Sequence, residues 1–276
     1  MLVTNIINWV YNRIHRRKHV SKHDARKKIR RHKPKNSVEL QTMSPFSLNP
    51  ITLTVVLDMD ETLIHAIELD PGIDYASCTF DIIVMFGDKQ RYGVYARPML
   101  QEFLSYCAKH FELILFTAAT RAYAQQVVNA IDPHGHIKYR FYRDSCLDVN
   151  GILTKPVQNL GRQMDRIVLV DNSELCMLSC SDNGVVIPAF KGDPLDCDLN
   201  KLADLLTYLH GLKDVRPFLI KKFRLRERFA RSGVILLDSP GGPFSPVLTD
   251  GAGDVIEYMT DIGSRESVQL PVDVRK

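Results

Sequence analysis

The sequence predicts an α/β fold: a doubly wound, mainly parallel central sheet with a small inserted β-hairpin, and tails without fixed structure. Three observations lead there. Uncharged or nearly uncharged apolar runs at Thr52–Leu57, Phe111–Phe116 and Arg166–Val170 read as strands covered on both faces. Segments with helical apolar spacing alternate with them. Each run ends in side-chain oxygens, at Asp58 and Asp60, at Thr117, and at Asp171-Asn172. Open α/β sheets keep their ligand sites at the carboxyl ends of strands.

The 276 residues suffice for one substantial domain plus tails. Charge is divided unevenly. Residues 1–36 hold twelve Lys/Arg against the single acid Asp24, a net +11, and a total of +4 leaves −7 on the rest. No apolar run approaches the ~20 residues that span a bilayer. Cys78, Cys107, Cys146, Cys176, Cys180 and Cys197 lack the paired spacing of zinc sites, so free thiols in a reducing compartment are expected.

Residues 1–50 form a basic arm and linker. Val3, Ile6, Ile7, Val10 and Ile14 share one helical face, Trp9 adds an aromatic, and Arg13, Arg16, Arg17 and Lys18 follow. That pattern suits a helix lying on an anionic membrane surface, with residues 1–35 making the contact. It also fits a mitochondrial presequence, while Arg26 to Lys35 fits a nuclear import signal. A solvated basic tail without fixed structure explains residues 19–45 equally well. Direct nucleic-acid binding is not expected, because no aromatics interleave the basic run.

The body, residues 51–212, is read element by element. After the first strand, Ile67–Ser77 reads as loop. Thr79–Met85 and Arg91–Ala96 make the inserted hairpin around Gly87-Asp88-Lys89. Arg97-Pro98 opens a helix with Met99, Phe103, Leu104, Cys107 and Ala108 on its apolar face. The second strand ends at Thr117, which opens a helix running through Ala122 to Ile131 and serves either a phosphate or the helix N-terminus. Arg140–Cys146 is a short strand or edge segment carrying Arg143. Gly151 to Lys155 is a tight turn that delivers a lysine. The third strand follows, then a further strand at Gly184–Pro188. Leu199, Leu202, Leu205, Leu206 and Leu209 mark a helix. Residues 213–231 form a basic amphipathic helix, Val215–Phe229. Residues 232–276, rich in Gly, Pro, Ser and Asp, read as mostly disordered.

Asp58 and Asp60 could be plain turn residues, as could Asp171-Asn172. The chemical reading rests on convergence. Three strand ends and Lys155 meet at one crevice. Two carboxylates there are costly to desolvate unless a cation joins them, and oxygen ligands of this kind suit magnesium.

The motifs resemble the haloacid dehalogenase superfamily of phosphotransferases, and within it the phosphatases related to those of the RNA polymerase II C-terminal domain. The resemblance covers residues 44–222 and is carried by Val56 to His65, Arg97-Pro98, Leu115 to Ala118, Tyr142 to Cys146, Thr154-Lys155 and Val170 to Ser173. Ser44-Pro45, Glu61 to His65 and Asp214 to Arg216 are similar to the Dullard branch of nuclear-envelope phosphatases.

The resemblance implies a magnesium-dependent protein serine/threonine phosphatase. Asp58 is then nucleophile and metal ligand, and Asp60 is general acid/base and a ligand through its backbone carbonyl. Asn172, with Asp171 beside it, completes the metal shell. Thr117 and Lys155 hold phosphoryl oxygens, Thr62 supports the loop, and Tyr123 and Arg143 lie near the phosphopeptide. The implied partners are a phosphoprotein and a regulatory subunit, at the nucleus, nuclear envelope or ER surface. Two alternatives stay open: a nuclear phosphatase of the polymerase tail, and a non-catalytic subunit of the mitochondrial presequence-translocase type.

Overall fold

The computed structural model describes residues 52–232, apart from 71, 76–77, 87–89 and 150, together with strands at 234–237 and 245–248. The basic arm with all its readings, Ser44-Pro45 and the turn at 87–89 lie outside the described residues. β1 (Thr54–Leu57), β5 (Glu112–Phe116), β6 (Tyr139–Phe141), β9 (Ile167–Asp171) and β10 (Gly184–Val186) form one parallel sheet in the order β10-β9-β1-β5-β6. The first strand is therefore central, with Val55 opposite Leu113 on one side and Val168 on the other.

Period-two alternation divides this sheet between two cores. Val55, Leu57, Leu113, Leu115, Val168 and Val170 face one core, where α1 (Leu100–His110), α2 (Arg121–Ile131) and α3 (Asp198–His210) pack. Val56, Ile114, Phe116, Ile167 and Leu169 face the other, against Met177, Leu178, Leu225 and Phe229. Covering both faces explains why these strands are apolar throughout. Each such side chain contributes roughly 1.5–3 kcal/mol on full burial.

Both helix starts fall later than the sequence suggests. α1 begins at Leu100, because Arg97 is turned inward and buried. Its guanidinium donates to Thr62 O (3.0 Å), Pro188 O (3.1 Å), Asp196 (2.7 and 2.8 Å) and Asp198 (3.1 Å). α2 begins at Arg121 with Thr120 in the extended N-cap position, so Thr117 does not open it.

The inserted hairpin is a three-stranded antiparallel sheet, order β2-β4-β3, of β2 (Ile64–Glu68), β3 (Ile82–Phe86) and β4 (Gln90–Ala96). The strand at 64–68 escapes a hydropathy reading because its sequence, IHAIE, is polar at one end and only half buried. β7 (Leu147–Val149) and β8 (Ile152–Thr154) pair across Gly151, whose φ of +83° is open to glycine at no steric cost. That hairpin delivers Lys155 as expected.

The helix expected over Val215–Phe229 is broken. α4 (Arg216–Phe223) and α5 (Leu225–Arg231) meet at Arg224, which has φ +53°. The break sends Leu219 into the first core and Leu225 and Phe229 into the second. Within 232–276, mostly disordered on the sequence reading, the short strands β11 (Val234–Leu237) and β12 (Ser245–Leu248) pair antiparallel. The apolar run Val234 to Leu237 carried that signal amid Gly and Pro.

Candidate active site

The site grows from the loop after β1. The Asp58 amide donates to Val170 O at 3.0 Å, which ties the loop to β9. Met59 is fully buried, and its carbonyl accepts from the amides of Thr62, Leu63 and Ile64 (3.3, 2.8 and 3.2 Å). Glu61, at φ +59°, turns the chain back to make this possible. With Met59 locked in the core, Asp58 and Asp60 project from the loop into an open cleft of about 600 Å³. Arg97 holds the loop from behind through Thr62 O, and its own amide reaches Leu63 O at 2.9 Å.

Lys155 is 0% exposed. Its ammonium donates to Asp58 Oδ1 at 2.5 Å and to Asp171 Oδ2 at 2.6 Å. Asp171 Oδ1 accepts from the Ser173 amide at 2.7 Å, so both its oxygens are engaged and the side chain anchors Lys155. Thr62 lies beneath the cleft and donates toward Asp58 Oδ2 at 3.0 Å, with Asn172 Oδ1 3.3 Å away. Tyr123 donates to Asp60 Oδ1 at 2.9 Å. Thr117 Oγ1 accepts from the Ala119 amide at 3.0 Å, and its side chain lines the cleft beside Asp60. Arg143 donates from Nε to Ala118 O at 2.7 Å, at the exposed rim. Asp58, Asp60, Thr117, Tyr123, Arg143, Lys155, Asp171 and Asn172 thus line one cleft, and Thr62 supports it from below.

The electrostatics are strained toward negative charge. Burial, then the neighbouring Asp171, pushes the Asp58 carboxyl up to about 7 despite Lys155. Burial likewise pushes Asp60 up to about 6, against the opposing bond from Tyr123. Burial pulls the Lys155 ammonium down, but Asp171 and Asp58 outweigh it and hold it above its ordinary value. Three carboxylates face one lysine, so the cluster is short of positive charge.

A magnesium ion fits that donor set. The single Thr62 hydrogen cannot serve Asp58 Oδ2 and Asn172 Oδ1 together, which leaves two oxygens converging with capacity to spare. Among the described residues no cluster of three or more His, Cys, Asp or Glu side chains has metal-binding geometry. The candidate set here is one carboxylate, one amide and the Asp60 carbonyl, and magnesium characteristically retains several waters.

The structure adds residues that the sequence did not single out. Tyr92, from β4, forms a cleft wall and meets the Tyr123 ring edge-on, centroids 5.3 Å apart. Glu61 reaches the cleft and accepts from His65 Nδ1 at 3.1 Å. Cys176 lines the cleft with its thiol pushed up by burial. No motif surrounds Tyr92; its strand alternation alone placed it on the cleft side. All six cysteines are unpaired among the described residues, as expected.

The family described as NLI interacting factor-like phosphatase matches residues 53–216, more than half of the chain. CTD small phosphatase-like protein 2 of Dictyostelium discoideum is 37% identical over 182 residues, covering 65% of this chain and 31% of the relative. CTD small phosphatase-like protein 3 of Caenorhabditis elegans is 37% identical over 184 residues, covering 66% and 63%. Nuclear envelope morphology protein 1 of Schizosaccharomyces pombe is 32% identical over 170 residues, covering 60% and 35%. The match thus spans 31% to 63% of the length of these relatives.

Proposed function

Because this chain belongs to the NLI interacting factor-like phosphatases, we propose that it is a magnesium-dependent protein serine/threonine phosphatase that works through an aspartyl-phosphate on Asp58. The observation that carries the reading is the Lys155 ammonium bridging Asp58 and Asp171 at the floor of an open cleft, with Asp60 held at its side. Asp58, Asn172 and the Asp60 carbonyl would hold the metal. When bound, magnesium supplies positive charge to the phosphoryl oxygens and favours the ionised form of Asp58.

In the first step an Asp58 oxygen attacks phosphorus in line, and the ester bond to the serine or threonine oxygen breaks. Asp60 gives its proton to that oxygen. In the second step Asp60 takes a proton from water, which attacks the phosphoryl group and releases phosphate and Asp58. Lys155 neutralises charge at the nucleophile throughout, while Thr117 and Arg143 face the incoming phosphoester. Positioning and electrostatics supply most of the acceleration in phosphoryl transfer.

A relative named for nuclear envelope morphology supports a setting at the nuclear envelope or ER surface. Relatives named as CTD small phosphatase-like proteins, and a human one named for the carboxy-terminal domain of RNA polymerase II polypeptide A, support the polymerase tail as the competing substrate class. Among the described residues no helix is long and apolar enough to cross a membrane. The intact Asp58, Asp60, Thr62, Lys155 and Asn172 favour catalysis over a purely binding role.

The test is hydrolysis of p-nitrophenyl phosphate and of a phosphoserine peptide array by the purified full chain. Turnover should require magnesium, vanish with chelator, and be absent in Asp58→Asn. Full activity in Asp58→Asn, or turnover indifferent to chelation, would reject this mechanism.

A further inference from the structure

Tyr123 belongs to α2, and Asp60 to the loop after β1. The bond from the Tyr123 hydroxyl to Asp60 Oδ1, at 2.9 Å, therefore joins two elements 63 positions apart. A third element stands behind it: Tyr92 of β4 meets the Tyr123 ring edge-on, with centroids 5.3 Å apart. All three side chains line the same cleft.

An aspartate carboxyl turns about a soft final torsion. A general acid must carry its proton on the oxygen that meets the leaving group. Oδ1 already accepts from a tyrosine, so a carboxyl held in this way presents Oδ2 for the transferable proton. We propose that Tyr123 is the positioning residue of Asp60, fixing its carboxyl so that Oδ2 delivers the proton to the departing oxygen, and that Tyr92 holds Tyr123 in that role. The proposal rests on the phosphatase reading above. In the step, the Asp60 Oδ2–H bond breaks and the proton passes to the ester oxygen. That oxygen leaves phosphorus as the bond from Asp58 forms. The inserted sheet then takes part in proton delivery through Tyr92, which also walls the cleft.

This role differs from a contact with the phosphopeptide, and the two separate in kinetics. Phenyl phosphate and 2,4-dinitrophenyl phosphate share a ring and lack any peptide, but the dinitrophenolate departs without a proton. Tyr123→Phe keeps the ring and removes the hydroxyl. With magnesium and the full chain, its kcat/KM for phenyl phosphate should fall about 10- to 100-fold further than for the dinitrophenyl ester, a part of the roughly 10²- to 10⁴-fold that general acid catalysis supplies. Tyr92→Leu should show the same bias more weakly, and Asp60→Asn more strongly. On a phosphoserine peptide the Tyr123→Phe loss should appear in kcat.

An equal loss on both aryl esters would overturn the proposal, as would a rise in peptide KM with kcat intact. A wild-type chain that cleaves neither ester would sink the phosphatase reading and this inference with it.

Discussion

Replacing Lys155 with methionine keeps most of the side-chain volume and removes the charge. The structure shows what is then stranded. Asp58, 6% exposed, and Asp171, 1% exposed, lose bonds of 2.5 and 2.6 Å and face each other with no cation between them. Breaking a buried ion pair from one side costs about 3–5 kcal/mol, because the remaining charge stays buried. At roughly 2–4 °C per kcal/mol for a domain of this size, the midpoint should drop by about 6–20 °C. Urea unfolding followed by circular dichroism, in chelator so that no metal replaces the ammonium, reads the effect directly. A double-mutant cycle sharpens it. Asp171→Asn should destabilise the wild type, yet stabilise Lys155→Met, since there it removes an unpaired charge. Lys155→Met as stable as the wild type in chelator would refute the reasoning. So would Asp171→Asn acting with the same sign in both backgrounds.

Other outcomes follow from the same structure. Arg97→Met should cost about 3–5 kcal/mol in urea titration and slow turnover, since its guanidinium joins the loop after β1, at Thr62, to Pro188, Asp196 and Asp198. Burial works to raise the Glu112 carboxyl, but Arg162 and Thr54 outweigh it and hold it below its ordinary range. Its stabilising contribution is therefore present above the ordinary glutamate value and lost as pH falls through the lower folded value. Glu112→Gln should flatten that acid limb, as measured by thermal midpoints across pH. Gly93→Ala places a methyl 2.4 Å from the Phe80 ring and should lower stability by about 1–3 kcal/mol. Arg224→Gly relieves a left-handed backbone at φ +53° and should raise the midpoint, by up to about 1 kcal/mol in stability.

The central sheet was legible because its strands are buried on both faces. Burial on both sides leaves no polar alternation to confuse the reading, and Val56, Ile114 and Leu169 show it as plainly in sequence as in structure. The cleft was legible for a related reason: oxygen-bearing residues end those same strands. Half-buried elements were not. β2 carries one buried and two exposed residues among its five, so hydropathy is silent there. The helix break at Arg224 was invisible because apolar spacing continues across it; the residues keep their period while the face they pack against changes. Lys155 was legible as a site residue but not as a fully buried one, since only the three-dimensional placement of Asp58 and Asp171 makes that burial tolerable. Tyr123 came only from the family resemblance, and its bond to Asp60 joins segments whose contact no local pattern encodes.

The kinked pair α4 and α5 works as a clasp. One half closes over one side of the sheet and the other half over the reverse, so both hydrophobic layers share a single closing strip. A fragment cut at 212, or at the end of the family match at 216, would lose Leu219 from one layer and Leu225 and Phe229 from the other. A fragment that keeps both layers closed therefore runs through Phe229 at least. Damage to this distant strip would reach the cleft residues as loosening of the platform beneath them.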